Sequence, residues 1–96
     1  MAQFDVCRGR GGGTVIDCQS DLLRSLPTRF VVPLRAKDGS VMERLTPVFR
    51  IEDREVAMVP PLAGAIDTRD IGDVVTSLIE HEFTIRSALD MLISGY

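Results

Sequence analysis

The stretch TSLIEHEFTIRSALDMLISGY, Thr76–Tyr96, decides how the chain is built, because the spacing of its apolar residues changes there from two to nearly four. Ser77-Leu78-Ile79-Glu80 has the spacing of a capping box, in which a serine and a glutamate three positions on satisfy free amides at a helix start. At about 100° per residue, Leu78, Ile85, Leu89 and Leu92 fall on one narrow face, flanked by Ala88 and Ile93. This pattern predicts a helix over about 76–94 that packs its stripe onto a sheet. The opposite face carries Phe83, Ser87, Asp90 and Ser94, with Glu82 and Arg86 at its margin. An aromatic in that position is a contact with a neighbouring loop, a chance surface residue, or a contact for another protein. Gly95 closes the helix and leaves Tyr96 beyond it.

Upstream of that helix the chain reads as short strands, about 3–60, within one domain, 1–96. Phe4 and Val6 alternate with Gln3, Asp5 and Cys7, and Ile16 and Cys18 alternate with Val15 and Asp17, predicting a hairpin around RGRGGGT. In that hairpin Cys7 and Cys18 are expected as two small buried apolar residues that remain thiols, with a cross-strand pairing as the alternative. TRFVVPLRA, from Thr28, is β-branched, but Pro33 fits an edge, a bend or a bulge better than a central ladder. AKDGS is a turn signal, and LTPVFRIE and REVAMVP are strands either side of a charged EDR tip. Pro60-Pro61 is expected to end the sheet. LAGAI and DTRDIG then connect to the helix, as a short strand and a turn.

Composition bounds the function. The chain has 96 residues, 45% of them hydrophobic and 26% charged, which is an ordinary globular balance. A core of this size is modest, so pairing with a second copy would help. A net charge of −3 argues against a general nucleic-acid binder, which needs a concentrated basic surface. No apolar leader or membrane-length run is visible, so a cytoplasmic protein without membrane contact is expected.

Catalytic chemistry is thin. GRGGGT lacks the Lys-Ser/Thr ending that a P-loop uses on phosphate and magnesium, and one arginine-glycine tract on an acidic chain is weak as an RNA-binding box. His81, the one histidine, is placed near the buried edge of the helix, where packing is commoner than catalysis. Two cysteines without metal-ligand spacing make neither a zinc site nor a disulfide scaffold. Acids gather at Asp17, Asp21 and the Glu52-Asp53-Glu55 tip, each with basic neighbours. No catalytic residue, metal or cofactor is expected.

In order along the chain, FDV, IDCQSDLL, TRFVVPL, LTPVFRIEDREVAMV and ALDMLISGY together resemble the CcdB family of bacterial toxins, over nearly the whole length. The IDCQSDLL and RFVVPL blocks carry the resemblance in combination. It implies a mainly β fold with a C-terminal α-helix, an SH3-like small antiparallel barrel, assembled as a homodimer. It further implies the toxin of a plasmid- or chromosome-borne toxin–antitoxin module that acts without catalysis. Such a dimer enters the gap between the A subunits of DNA gyrase, inhibits this topoisomerase and traps the cleaved DNA.

The family's contact tip maps onto Ser94, Gly95 and Tyr96, with serine standing where the family has tryptophan. Phe83, Arg86, Ser87 and Asp90 are implied beside it, as are Leu22, Leu23 and Arg24. The second implied partner is a cognate antitoxin with a partly disordered tail, expected near Arg8, Asp17 and Ser20; nucleic acid is met only through that complex, in transcription regulation. Two alternatives remain. One is an endoribonuclease of the same barrel, needing side chains such as Arg29 and Asp17 to converge on a phosphate. The other is a degenerate member that acts only in antitoxin-dependent repression.

Overall fold

The computed structural model describes residues 1–37 and 44–95. Among the described residues seven strands form one antiparallel sheet: β1 (Asp5–Gly9), β2 (Thr14–Asp17), β3 (Thr28–Ala36), β4 (Val48–Ile51), β5 (Arg54–Met58), β6 (Gly64–Asp67) and β7 (Ile71–Ser77). The order across the sheet is β4-β5-β3-β2-β1-β7, with β6 also paired to β3. The sheet curls into a half-barrel, and the one α-helix among the described residues, α1 (Glu82–Ser94), packs against it.

The curl depends on β3. Its first half, Thr28–Val31, pairs with β6, and its last residues, Leu34–Ala36, pair with β5. Pro33 lies where the outer edge passes from one partner to the other, and its carbonyl accepts a hydrogen bond from the Val59 amide at 3.0 Å. The N and O of one strand residue point to the same side, so the missing N–H of Pro33 faces the gap between β5 and β6. Pro33 therefore lies in a central strand, contrary to expectation, at the point where the partner of β3 changes. Pro60-Pro61 ends β5 in a short 3-10 turn and does not end the sheet, since β6 and β7 follow.

Two expectations about register are corrected. The β1–β2 hairpin pairs Val6 with Ile16 and Cys7 with Val15, closing through a Gly9 amide bond to the Gly13 carbonyl. Cys18 lies beyond the strand and does not face Cys7. Strand β7 runs through Ser77, so α1 starts at Glu82 instead of Thr76. The β-branched run Val74-Val75-Thr76 pairs with β1, and the Leu78 amide still donates to the Phe4 carbonyl at 2.8 Å. Ser77 Oγ accepts from the Ile79 amide and starts a 3-10 turn, Ile79–His81, in place of a capping box. The helix end agrees with expectation: Gly95, at φ 83°, takes the left-handed cap, and its amide bonds to the Met91 carbonyl.

The core cluster joins Val6, Ile16, Val32, Leu34, Phe49 and Met58 of the sheet to Phe4, Leu78, Ile85 and Ala88. Ile85 is fully buried, a gain of about 1.5–3 kcal/mol from the solvent transfer of one such side chain. The predicted stripe is shorter than expected: Leu89 packs at the edge, whereas Leu92 is 44% exposed. His81 is exposed, not buried, with its ring 5.2 Å from that of Phe49. The Glu52-Asp53 turn between β4 and β5 is as tight as the sequence indicates, with both residues at positive φ. The AKDGS turn lies largely outside the described residues.

Candidate functional site

Two exposed apolar features stand out among the described residues. The first follows β2, where Ser20 caps a short 3-10 turn, Asp21–Leu23, through Ser20 Oγ and the Leu22 amide. Leu22 is 92% exposed and Leu23 half so, and Arg24 Nε bonds back to the Asp21 carbonyl at 3.0 Å. The second is α1. Phe83 is 86% exposed, Asp90 and Ser94 share its face, and Ile93 in the last turn is 81% exposed. The turn and the helix thus each hold large apolar side chains in water.

Residues 3 and 4 tie these features together. The Gln3 amide donates to Asp21 Oδ1 at 2.9 Å and the Gln3 side chain to the Cys18 carbonyl at 3.1 Å. Phe4, at φ 70°, is buried with its ring under the Arg86 guanidinium, 5.5 Å from the centroid. Arg86 also bonds Glu82 at 3.0 Å, so this arginine is partly committed to its own chain. Ser87 is half-buried and accepts from Arg44 Nε at 3.1 Å. Gly95 is exposed, and Tyr96 lies outside the described residues.

The residues expected to meet an antitoxin, Arg8, Asp17 and Ser20, differ in their surroundings. Arg8 reaches Glu52 at 3.4 Å across the open end of the half-barrel, over a cavity of about 410 Å³ that Thr14 and Arg54 also line. Ser20 is occupied as a cap. Asp17 is fully buried, held by both Arg29 Nε and Nη2, and its other oxygen accepts from the Gln19 amide. Asp17 and Arg29 do converge, as an endoribonuclease would require, but on one another and inside the protein. Neither is open to a phosphate.

Among the described residues, burial and one ion pair shift the protonation of a few groups. Burial pushes the Cys18 thiol up to about 12, with the Asp17 carboxylate adding to the effect, and Cys7 shifts the same way through burial and Asp5. Both thiols are poor nucleophiles at neutral pH. Arg69 holds the exposed Asp67 carboxyl below its usual range by a side-chain hydrogen bond. Among the described residues no three His, Cys, Asp or Glu side chains gather to hold a metal ion. No helix of the described residues is long and apolar enough to cross a membrane.

Sequence reasoning missed Gln19 and Gln3, whose roles depend on neighbours distant in the chain. A cap signal was present, since Ser20-Asp21 ahead of two leucines is a helix-start pattern. A search of curated proteins finds no match to the chain. The family model described as CcdB protein matches residues 3–95, and the chain belongs to the CcdB family.

Proposed function

We propose that this protein is a toxin that binds the A subunit of DNA gyrase and traps the cleaved-DNA complex, acting by protein binding and not as an enzyme. Membership of the CcdB family supports a toxin of a toxin–antitoxin module. The observation that carries the finer reading is the last turn of α1, where Ile93, Ser94 and Gly95 stand in solvent at the end of a helix that Gly95 caps. Phe83, Arg86, Ser87 and Asp90 flank that tip on the helix, and Leu22, Leu23 and Arg24 form the second apolar contact. Exposed Leu26, Phe30, Leu62, Val74 and Ile79 leave much apolar surface on one copy, which favours a homodimer presenting two tips.

A cognate antitoxin neutralises the toxin in this reading, its disordered tail meeting Arg8 and Ser20 at the surface, with Asp17 supporting them from within. The protein works in the cytoplasm, in plasmid maintenance, and meets DNA only through the antitoxin complex. A specific observation favours a second reading: Ser94 replaces the tryptophan that the resemblance assigns to the tip, which fits a member that only assembles with antitoxin for repression.

Purified protein, gyrase, supercoiled DNA and ATP test the choice. Cleaved complexes should accumulate with the full chain and disappear when residues 94–96 are deleted, while the deleted protein remains folded. Gyrase that cleaves and supercoils normally at saturating protein would leave repression as the surviving reading.

A further inference from the structure

Gln19 is buried at the exit of β2, and both ends of its side chain are used. Nε2 donates to the Leu23 carbonyl at 2.9 Å, and Oε1 accepts from the Phe30 amide at 2.9 Å. Its own backbone amide donates to Asp17 Oδ1 at 3.0 Å, and Asp17 is fixed by Arg29. A line of buried polar contacts thus runs from Arg29 through Asp17 and Gln19 to the turn that carries Leu22 and Leu23.

That turn has little else to hold it. It is three residues long and none of them is buried, and a single 3-10 turn is not stable alone. Ser20 Oγ caps it locally, and Asp21 ties it to the Gln3 amide. Gln19 is the side chain that joins its last residue to β3. The task needs one donor and one acceptor on the same planar group, which glutamine has, glutamate lacks in part and methionine lacks altogether.

We propose that Gln19 is a positioning residue: its amide bridges Leu23 to Phe30 and holds Leu22 and Leu23 out as a preformed apolar knob. The partner of the knob rests on the gyrase reading above; the holding role does not. A knob already ordered loses less conformational freedom on docking, so its rigidity appears in affinity.

The test compares Gln19→Glu, which keeps the acceptor for Phe30, with Gln19→Met, which removes both groups. Amide hydrogen exchange is followed residue by residue in the free protein, together with thermal unfolding and affinity for the purified gyrase A subunit. The Leu22, Leu23 and Arg24 amides, each bonded within the turn, should exchange about five- to tenfold faster in Gln19→Met, the effect of losing the bond to the Leu23 carbonyl, and at least as much faster in Gln19→Glu, which loses that bond and buries a carboxylate near Asp17. Amides of β1 and α1 should keep their rates. Affinity should fall by a similar factor, and the fall should vanish when Leu22 and Leu23 are already alanine. Unchanged exchange at the turn, or exchange that rises equally throughout the sheet, overturns the proposal. A wild-type chain with no affinity for gyrase removes the gyrase reading alone, and the exchange comparison still decides the role of Gln19.

Discussion

Arg29 and Asp17 lie on adjacent strands with both side chains buried, and Arg29 donates from Nε and Nη2 to the same carboxylate oxygen, the first of these at 3.0 Å. The remaining oxygen accepts from Gln19, so neither charge depends on water. Such a pair adds little over a well-packed apolar substitute, but either half alone is an uncompensated buried charge. Asp17→Ala should therefore destabilise the protein by about 3–5 kcal/mol, a large part of the about 5–15 kcal/mol that keeps a domain folded. Urea unfolding measures it. The double variant Asp17→Ala with Arg29→Met should regain much of the loss, and a single-variant cost below about 1 kcal/mol would contradict the pairing as described.

The first five strands, the tight turn at Glu52-Asp53 and the end of α1 were legible in the sequence because each rests on local chemistry. Alternation marks strands, and Gly95 supplies the left-handed cap. Strand β7 was not legible, because Ser77-Leu78-Ile79-Glu80 imitates a helix start while the partner of β7 is β1, almost the whole chain away. The cysteine pairing fails on register alone: a loop over residues 9–13 is centred on Gly11 and sets Cys7 opposite Val15, as observed, with Cys18 three residues further on. At the candidate site, exposed Phe83 was visible from helical periodicity. The support beneath Leu22 was not, since it depends on Gln3, Asp17, Gln19 and Phe30 meeting in space.

The buried thiol of Cys18 predicts an alkaline weakness. In the unfolded chain it gives up its proton near its ordinary 9.0, whereas in the fold burial raises this to about 12. Between those values the folded form binds the extra proton, so stability is full below pH 9 and falls as pH rises. The slope from this one group approaches about 1.4 kcal/mol per pH unit. Denaturant unfolding at several pH values should show Cys18→Ala falling less steeply than the parent. Parallel slopes would mean that the thiol ionises as readily inside as outside.

The β4–β5 turn offers a gain in stability. Glu52 and Asp53 sit at φ 50° and 63°, a conformation that costs residues with a side chain and that two-residue hairpins normally give to Asn-Gly. Asp53→Gly removes the strain at the second position and leaves the Arg8–Glu52 ion pair in place. The expected gain is up to about 1 kcal/mol, reduced by the greater freedom of glycine in the unfolded chain. A rise in the melting temperature checks it. A lower melting temperature would show that the Asp53 side chain contributes more than its backbone costs.

Ser94 sets the last test, because the proposed contact is made with a small hydroxyl where the family resemblance places a tryptophan. An interface tryptophan is often worth about 2 kcal/mol or more, through burial of its large face and through attraction to arginine. The neighbouring Ile93 and Gly95 are exposed, so position 94 has room for the larger ring without disturbing Ile85 or Ala88 in the core. Ser94→Trp should leave unfolding unchanged and tighten binding to the gyrase A subunit by about 30-fold per tip, the equivalent of 2 kcal/mol. The symmetric dimer multiplies this if both tips engage at once, so the gain should be larger for the intact gyrase dimer than for a single A-subunit fragment. Titration against both forms of gyrase measures the two gains. Equal affinity of parent and variant for either form would mean that the end of α1 does not enter the gyrase interface, whatever the exposed leucines of the other feature contribute.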